Sequence, residues 1–348
     1  MRILVFCEHL RPPFDEGIRN TALQFIRALS REHDVLGLTN LGASVPQERV
    51  ERVAANRLLL SPALARTVRA FRPELVLHFP TACATPFAFW RGRMLGLYAR
   101  APVVLAILQP RRQPPYARPL LRLLRPRLCL APSERLAAAL EGLGSRVRPL
   151  GVGVDVERFR PADADRRRAL RRAYGLAEQA YVVLHVGHLK AARGVQALAP
   201  LQGVDGTQVV LVGSASLGVE RDLVAGLEAR GVRVITGYLP DVAEVFQLAD
   251  CYAFPVRAEE NAIELPLSVL EAMACNLPVV STPYGGLPER FPQGGGLWYE
   301  AAEEGLRARI LCVRGQSAAT RERVLPLAWE RVVSATLDDL RRALSLSP

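Results

Sequence analysis

Residues 251–289, CYAFPVRAEENAIELPLSVLEAMACNLPVVSTPYGGLPE, decide the fold. The apolar run at residues 251–254 predicts a β-strand, which Pro255 ends. Pro266 suits the first turn of a helix because it has no N–H to lose there, and Leu267, Leu270 and Ala274 then recur at helical spacing. Residues 278–281 predict the next strand. The stretch therefore predicts a strand, an acidic loop, a mostly buried helix, a second strand and a glycine turn.

Free amides and carboxylates come together near the start of this helix. The amides of Leu267 and Ser268 have no partner within the helix, so they suit an anion. Glu271 lies about one turn past the helix start, and Glu264 precedes it by seven residues. A phosphate site beside carboxylates suits a nucleotide sugar, with one carboxylate for ribose hydroxyls and the other for sugar hydroxyls. The alternative is a Glu264 favoured by the helix dipole and a solvent-facing Glu271.

Residues 264–289, ELPLSVLEAMACNLPVVSTPYGGLPE, resemble the signature of glycosyltransferase family 4, retaining enzymes of the GT-B fold. The family has two glutamates with seven residues between them, and Glu271 matches the second. Ile263 stands at the place of the first, so Glu264, displaced by one, or Glu260 takes its role. The resemblance implies that Glu271 holds the ribose and Glu264 the transferred sugar.

A second motif, GHLKAARGV at residues 187–195, follows a strand predicted at residues 181–186. Gly187 provides the turn, and His188, Lys190 and Arg193 surround the start of the next predicted helix, where cations beside orphan amides form a diphosphate site. The family has Arg and Lys at the positions of His188 and Arg193. The resemblance implies that Arg193 and Lys190 stabilise the charge on the leaving diphosphate. The alternative is a group of surface cations at a helix start.

Two further glycine turns follow predicted strands. Gly17 lies between a strand at residues 3–7 and a helix, and a strand at residues 35–38 completes a βαβ opening. This glycine allows a ligand close to the backbone and resembles the N-terminal glycine motif of the family; the alternative is a plain turn glycine. The resemblance places the turn Gly237, Tyr238 and Leu239 near the nucleotide base. Other strands are predicted at residues 58–60, 75–79, 103–107, 128–131, 208–212 and 232–235.

The glycine-rich and then charged segment at residues 149–161, PLGVGVDVERFRP, predicts a domain junction and resembles the family's linker. We predict an N-terminal Rossmann-like acceptor domain over residues 1–150 and a C-terminal Rossmann-like nucleotide-sugar donor domain over residues 151–328. Residues 329–348 predict a terminal helix, which in the family packs back on the first domain. The resemblance implies an α/β protein of the GT-B fold, with two Rossmann-like β/α/β domains facing each other across a cleft.

The composition excludes several classes of protein. A chain of 348 residues, half of them hydrophobic, is long enough for two cores and is unlike a disordered protein. The six cysteines form no CxxC pair and favour reduced thiols. No His/Cys set or Asp pair suggests a metal, and no cofactor is expected beyond the nucleotide-diphosphate sugar, which is a substrate. The short N-terminal apolar run and the absence of a long one favour a cytoplasmic protein.

Positive charge is concentrated in the first half of the chain. Residues 1–150 hold 23 Arg and 10 acidic residues, and residues 75–133 hold nine Arg and no acidic residue. Mixed with aromatic residues, these cations predict peripheral attachment to the inner face of an anionic membrane, through Arg91, Arg93, Arg111 and Arg112. The alternative is a solvated Arg-rich surface. Nucleic acid is not an expected partner, because no recognition motif with interleaved aromatics is present.

The function that these observations predict is retaining, metal-independent transfer of a sugar, such as a hexose, from a nucleotide-sugar donor to a glycan, lipid-linked or small-molecule acceptor. A nucleotide-sugar epimerase of related architecture and a non-catalytic nucleotide-sugar-binding protein are the alternatives. No catalytic base is assigned: Gln109 stands where many relatives have a His, and His9 and His78 fit structural histidines better.

Overall fold

The computed structural model describes residues 1–81, 83–111, 114–213, 220–237 and 239–346, without the side chains of Pro115 and Glu259. The chain divides into two compact units. Unit 1 is Met1–Gly153 with Trp329–Pro348, and unit 2 is Val154–Ala328. The boundary predicted from the sequence is the one between residues 150 and 151.

Unit 1 is built on a parallel sheet of seven strands. In chain order the strands are β1 (Arg2–Phe6), β2 (Asp34–Thr39), β3 (Val50–Arg52), β4 (Leu75–His78), β5 (Val103–Ala106), β6 (Leu128–Ala131) and β7 (Arg146–Pro149). Across the sheet the order is β3-β2-β1-β4-β5-β6-β7, so the direction of winding reverses beside β1. Ligands bind outside the carboxyl ends of strands at such a reversal in open parallel sheets.

Five helices connect these strands: α1 (Gly17–Leu29), α2 (Pro62–Phe71), α3 (Pro86–Ala99), α4 (Arg118–Leu124) and α5 (Glu134–Glu141). The core of this unit joins Leu4 and Phe6 of β1 to Val68 of α2 and Leu95 of α3. Because β1 lies at the centre of the sheet, its side chains are shielded from water by the neighbouring strands and helices.

Unit 2 is built on a second parallel sheet, of six strands. In chain order they are β8 (Tyr181–Gly187), β9 (Thr207–Gly213), β10 (Arg233–Ile235), β11 (Cys251–Phe254), β12 (Val279–Ser281) and β13 (Leu297–Tyr299). Across the sheet the order is β10-β9-β8-β11-β12-β13, so the reversal lies between β8 and β11. The two strands on which the sequence motifs depend are therefore neighbours.

The helices of unit 2 are α6 (Ala164–Ala173), α7 (Arg221–Glu228), α8 (Ala243–Leu248), α9 (Leu267–Ala274), α10 (Leu287–Arg290), α11 (Glu303–Cys312) and α12 (Thr320–Val324). The last helix, α13 (Trp329–Leu344), belongs to unit 1 and packs against α1. No helix among the described residues combines the length and the apolar character that crossing a membrane requires.

Most strands predicted from apolar runs are present, and β6 and β11 have the predicted bounds. The strand predicted at residues 58–60 is wrong. The Asn56 side chain accepts from the backbone N–H groups of Leu58 and Leu60, and Leu59 has a left-handed φ of 58°, so this segment forms a turn. Strands β3, β7 and β13 were not predicted, because short edge strands need no long apolar run.

A buried carboxylate connects three elements of unit 1. Glu8 follows β1 and is 1% exposed. Its Oε1 lies 3.2 Å from Nε2 of His78 at the end of β4 and accepts from Arg91 Nη1 of α3 at 3.0 Å, while its Oε2 accepts from the backbone N–H of Thr81 at 3.0 Å. Burial acts to raise the pKa of Glu8, but His78, the Thr81 N–H and Arg91 together lower it to about 2.

Replacing Glu8 by Gln should destabilise unit 1 by about 3 kcal/mol at neutral pH, because Arg91 then loses its buried counter-charge. The folded-state pKa of Glu8 is below its ordinary value of 4.5, so its stabilisation is present above that pH and is lost as pH falls through about 2. The difference in free energy of unfolding between wild type and Glu8→Gln should therefore shrink in acid. Urea unfolding across this range measures it, and Glu141→Gln on the surface of α5 is the control. A difference that stays constant with pH would contradict the ionised Glu8.

Candidate functional site

The predicted site residues of unit 2 lie at the carboxyl ends of β8 and β11. Gly187 is the last residue of β8, and Arg193 ends a 3-10 turn (Ala191–Arg193) that follows it. A Cβ atom at Gly187 would lie 3.1 Å from Arg193 Nη1, so glycine leaves the room that the guanidinium occupies. Arg193 Nη2 donates to the backbone carbonyl of Asn261, which fixes the guanidinium between β8 and the loop before α9.

The segment after β8 differs from the predicted helix. It forms two 3-10 turns, Ala191–Arg193 and Val195–Leu201, separated by Gly194 with a left-handed φ of 70°. A Cβ atom at Gly194 would lie 2.9 Å from the Pro255 carbonyl oxygen, so this close approach to the chain after β11 requires glycine. The predicted helix-end amides beside Arg193 are consequently those of a short turn, and Lys190 is exposed at its start.

Helix α9 begins after Pro266, whose side chain offers no hydrogen bond to the first amides. No backbone carbonyl in the described part of the chain accepts from the amides of Leu267 and Ser268, whereas the amides of Val269 and Leu270 donate to the Pro266 carbonyl. Two half-buried N–H groups are thus open to an anion, as the sequence predicts.

Tyr252 connects this helix end to β8. Its hydroxyl lies 2.7 Å from Ser268 Oγ and 3.3 Å from the Val186 carbonyl oxygen, next to Gly187. Arg193, Gly187 and Ser268 are therefore linked by a continuous series of contacts. These contacts bring the Ser268 amide and hydroxyl to the same edge of the sheet as the Arg193 guanidinium.

Glu271 is half-buried in α9, one turn past these amides. Burial raises the pKa of its carboxyl to about 7, although the charge of Arg158 acts to lower this pKa. No hydrogen bond from another described residue satisfies its carboxylate. Glu271 is thus only partly shielded from solvent, and the alternative of a solvent-facing Glu271 stays a prediction. A carboxylate without a partner beside an anion site is suited to accept ligand hydroxyls.

Glu264 lies in the loop before α9 and is 1% exposed. Its carbonyl oxygen accepts from the Gly286 N–H at 3.0 Å, and a Cβ atom at Gly285 would lie 2.5 Å from the same oxygen. The glycine turn at residues 285–286 thus holds the backbone of Glu264. Ile263, at the family's first glutamate position, is 5% exposed and packs in the interior, while Glu260 is exposed.

The other predicted residues are more dispersed. Half-buried His188 directly follows β8. Gly237 follows the edge strand β10 and is exposed, about 10 Å from β8 at the usual strand spacing, and Leu239 is half-buried. Tyr238 lies outside the described residues. Gly17 belongs to unit 1, where it is the first residue of α1.

The amides beside Gly17 already have an acceptor. The Glu16 carboxylate caps α1 by accepting from the N–H groups of Ile18 and Arg19, at 3.3 and 3.1 Å. Gly17 therefore does not open its helix end to an anion in the way that Leu267 and Ser268 do. Among the residues that the structure describes, no three His, Cys, Asp or Glu side chains are grouped so that they could hold a metal ion.

Tyr252, Asn261 and His185 contribute to this edge but are not predicted from the sequence. His185 lies in β8 without exposure, its Nδ1 is 2.9 Å from the Ala253 carbonyl oxygen, and its Nε2 has no partner. Burial lowers the pKa of His185 to about 4, so the ring is neutral at physiological pH. A polar residue inside an apolar strand is the signal that could have identified both Tyr252 and His185.

The ionisation of Glu271 can be tested through stability. Its folded-state pKa is above the ordinary 4.5, so its contribution is fully present below pH 4.5 and is lost as pH rises through about 7. Relative to Glu271→Gln, the free energy of unfolding of the wild type should fall by up to about 3 kcal/mol over this range. Urea unfolding at several pH values measures it. Glu228→Gln, on the exposed face of α7, should show no such trend; a flat profile for Glu271→Gln would mean that its carboxyl has an ordinary pKa.

The sequence of this chain is similar to that of characterised proteins. Residues 180–314 match the family described as Glycosyl transferases group 1. D-inositol 3-phosphate glycosyltransferase of Mycobacterium bovis (strain BCG / Pasteur 1173P2) is 31% identical over an alignment of 226 residues, and the match covers 58% of this chain and 44% of that protein. The matched part thus spans less than half the length of this relative.

Solved structures share the fold over nearly the whole chain. Anabaena HepE in complex with UDP and glucose aligns with a TM-score of 0.79 at 21% identity, covering 98% of this chain and 100% of that chain. Sucrose-phosphate synthase of Thermosynechococcus elongatus aligns with a TM-score of 0.76 at 20% identity, covering 100% of both chains. The predicted α/β class, with two Rossmann-like units of the GT-B fold, is confirmed.

Proposed function

Residues 180–314 match the family of glycosyl transferases group 1, and from that similarity we propose that the protein transfers a sugar from a nucleotide-sugar donor to an acceptor hydroxyl. The observation that carries the proposal is the arrangement at one edge of the unit 2 sheet. There two open amides of α9 and the Arg193 guanidinium lie within one network, and the unpartnered carboxylate of Glu271 lies one helical turn away.

In the proposed reaction the bond between the anomeric carbon and the diphosphate oxygen breaks, and the departing diphosphate takes the electron pair. The acceptor oxygen forms the new bond to that carbon, and its proton passes to the departing diphosphate oxygen. Arg193 and Lys190, with the amides of Leu267 and Ser268, stabilise the charge that develops on the diphosphate. Glu271 holds the ribose and Glu264 the transferred sugar, with retention of configuration at the anomeric carbon.

Uracil is the nucleotide base to test first. Structures of the same fold were solved with UDP and with UDP-glucose. At this edge of the present chain, diphosphate oxygens would meet the amides of Leu267 and Ser268 and the Arg193 guanidinium, which suit an anion.

We propose that the acceptor contacts unit 1 at the carboxyl edge of its sheet. Two polar side chains there are more than nine-tenths buried and have atoms without a hydrogen-bond partner: Nε and Nη1 of Arg19, and both polar atoms of Asn40. The nearest carboxylate to Arg19 Nε, that of Glu16, is 3.8 Å away. Buried donors and acceptors are nearly always satisfied, so these atoms favour a ligand with hydroxyl groups.

A panel of polyol and sugar acceptors tests this placement. Asn40→Ala and Arg19→Gln should lower the rate of transfer while the affinity for the nucleotide, measured by calorimetry, stays the same. If both variants transfer at the wild-type rate to every acceptor used by the wild type, the acceptor does not bind at this edge.

The epimerase and the non-catalytic binding protein remain distinct outcomes of a turnover assay. An epimerase would interconvert nucleotide sugars without an acceptor, and a binding protein would show affinity without turnover. Neither is favoured by an observation in unit 2.

We propose further that the protein is cytoplasmic and attaches peripherally to the inner face of an anionic membrane, which would bring unit 1 to a lipid-linked acceptor.

Replacing Glu271 by Gln should weaken binding of UDP, because a charged acceptor of hydroxyl hydrogen bonds, worth roughly 1.5–3 kcal/mol, becomes a neutral amide. Since only the ionised carboxylate accepts from both ribose hydroxyls, wild-type affinity should also rise as pH passes through about 7, the raised pKa of Glu271. Titration calorimetry at several pH values measures both effects. In Glu271→Gln only the pH dependence that comes from the terminal phosphate of UDP should remain. Unchanged affinity in the folded variant would show that the ribose is held elsewhere.

Replacing Arg193 by Ala should lower turnover more than it lowers donor affinity, because the guanidinium acts on charge that develops as the diphosphate leaves. Donor consumption under single-turnover conditions measures this effect. Arg221→Ala, an exposed arginine of α7, is the control. An unaltered rate in Arg193→Ala would transfer the role to Lys190 or His188.

A further inference from the structure

Exposed hydrophobic side chains are concentrated on two helices of unit 1. Nine large hydrophobic residues are exposed in the described part of the chain, and five of them belong to α3, α4 and the turn that leads into α4. These five are Phe87 (58%), Leu97 (66%), Tyr116 (84%), Leu120 (45%) and Leu123 (67%). Two of them, Leu120 and Leu123, are neighbours on the outward side of α4, whereas Leu121 and Leu124 anchor the same helix in the interior.

The two helices form one surface. Arg93 Nη2 of α3 donates to the Leu123 carbonyl oxygen at the end of α4 at 2.8 Å, and the helices pack together. We define the α3–α4 surface by its outward residues Phe87, Leu97, Tyr116, Arg118, Leu120, Arg122 and Leu123. Because this hydrogen bond and the packing hold α3 against α4, the leucines and arginines of the two helices lie on the same side of unit 1.

The arginines around these leucines have no carboxylate partner. Arg93, Arg100, Arg118, Arg122, Arg125 and Arg127 are exposed, and no ion pair joins any of them to a described carboxylate. Helix α6 of unit 2 is the contrast, since its five arginines pair with Glu244, Asp250, Asp165, Asp250 and Glu178 in turn. The difference follows from the sequence, because residues 75–133 contain no acidic side chain.

Other residues of this basic segment, among them the predicted Arg91, are turned inward. Arg91 pairs with Glu8 and its side chain is 11% exposed. Phe89 and Leu95 are buried, and Trp90 donates to the Leu58 carbonyl. Arg112 lies outside the described residues. The docking residues are therefore those of the α3–α4 surface rather than the whole basic segment.

We propose that the α3–α4 surface docks on an anionic lipid bilayer. The proposal deepens, and rests on, the peripheral membrane attachment proposed above. Leucine and aromatic side chains enter the boundary between headgroups and acyl chains, while guanidinium groups beside them contact lipid phosphates. Charge complementarity favours the bilayer, because exposed arginines without a described carboxylate partner stand beside exposed leucines and match anionic headgroups.

Co-sedimentation with vesicles of phosphatidylcholine alone or mixed with phosphatidylglycerol tests the proposal, using the full chain at low and high salt. The wild type should bind the mixed vesicles at low salt and should be released by high salt. Arg118→Ser with Arg122→Ser should weaken binding to the mixed vesicles by roughly thirty-fold. Leu120→Ser with Leu123→Ser should weaken it by about tenfold or more.

Matched controls come from unit 2. Arg168→Ser with Arg172→Ser removes two exposed arginines that have carboxylate partners, and Leu325→Ser removes an exposed leucine. Both should bind vesicles as the wild type does. All variants change exposed side chains, so their melting temperatures should match that of the wild type.

The proposal is overturned if the wild type does not bind mixed vesicles, or if it binds neutral vesicles equally well. It is also overturned if Arg168→Ser with Arg172→Ser weakens binding as much as Arg118→Ser with Arg122→Ser does. A wild-type dimer in solution that Leu120→Ser with Leu123→Ser converts to a monomer would instead make the surface an interface between copies. Calorimetry with UDP reports separately on the proposed function. Binding of UDP without binding of vesicles would remove this inference and leave the proposed sugar transfer standing. Binding of vesicles without binding of UDP would remove the proposed sugar transfer and leave the docking surface standing.

Discussion

The parallel pairing of β8 with β11 is the constraint on which unit 2 depends. Cys251 pairs with Val183 and Tyr252 with Leu184. Because the strands run in the same direction, the turn after β8 and the helix after β11 leave the sheet at the same edge. The Tyr252 hydroxyl then reaches both Val186 and Ser268. Two segments that are about seventy residues apart in the sequence thereby become one site.

The two units treat buried carboxylates in opposite ways. In unit 1, Glu8 is surrounded by donors and cations, and its pKa is lowered to about 2. In unit 2, Glu271 is half-buried, no described residue donates a hydrogen bond to its carboxylate, and burial raises its pKa to about 7. A satisfied carboxylate stabilises the fold that surrounds it, whereas an unsatisfied one has capacity left for a ligand. The same residue type is therefore structural in one sheet and suited to binding in the other.

The surface arginines also differ in whether they have carboxylate neighbours. The arginines of α6 are neutralised by carboxylates of unit 2, so they contribute little net field. The arginines beside α4 have no such neighbours and stand among exposed leucines. Local sequence decides this contrast, because an acid-free stretch of chain cannot supply its own counter-charges. Folding then places α3 beside α4, so that the exposed side chains of both helices form one surface.

The sequence by itself determined the α/β class, β11, α9 and the open amides at Leu267 and Ser268, because apolar periodicity and Pro266 act over a few residues. It did not determine the turn at residues 58–60, the 3-10 turns after β8 or the role of Tyr252. Those features depend on Asn56 capping, on Gly194 meeting the Pro255 carbonyl and on a hydroxyl crossing between strands. Burial of Glu8, Arg91 and Glu271 was likewise decided by the tertiary structure, because a charged residue becomes buried only when distant elements supply its surroundings.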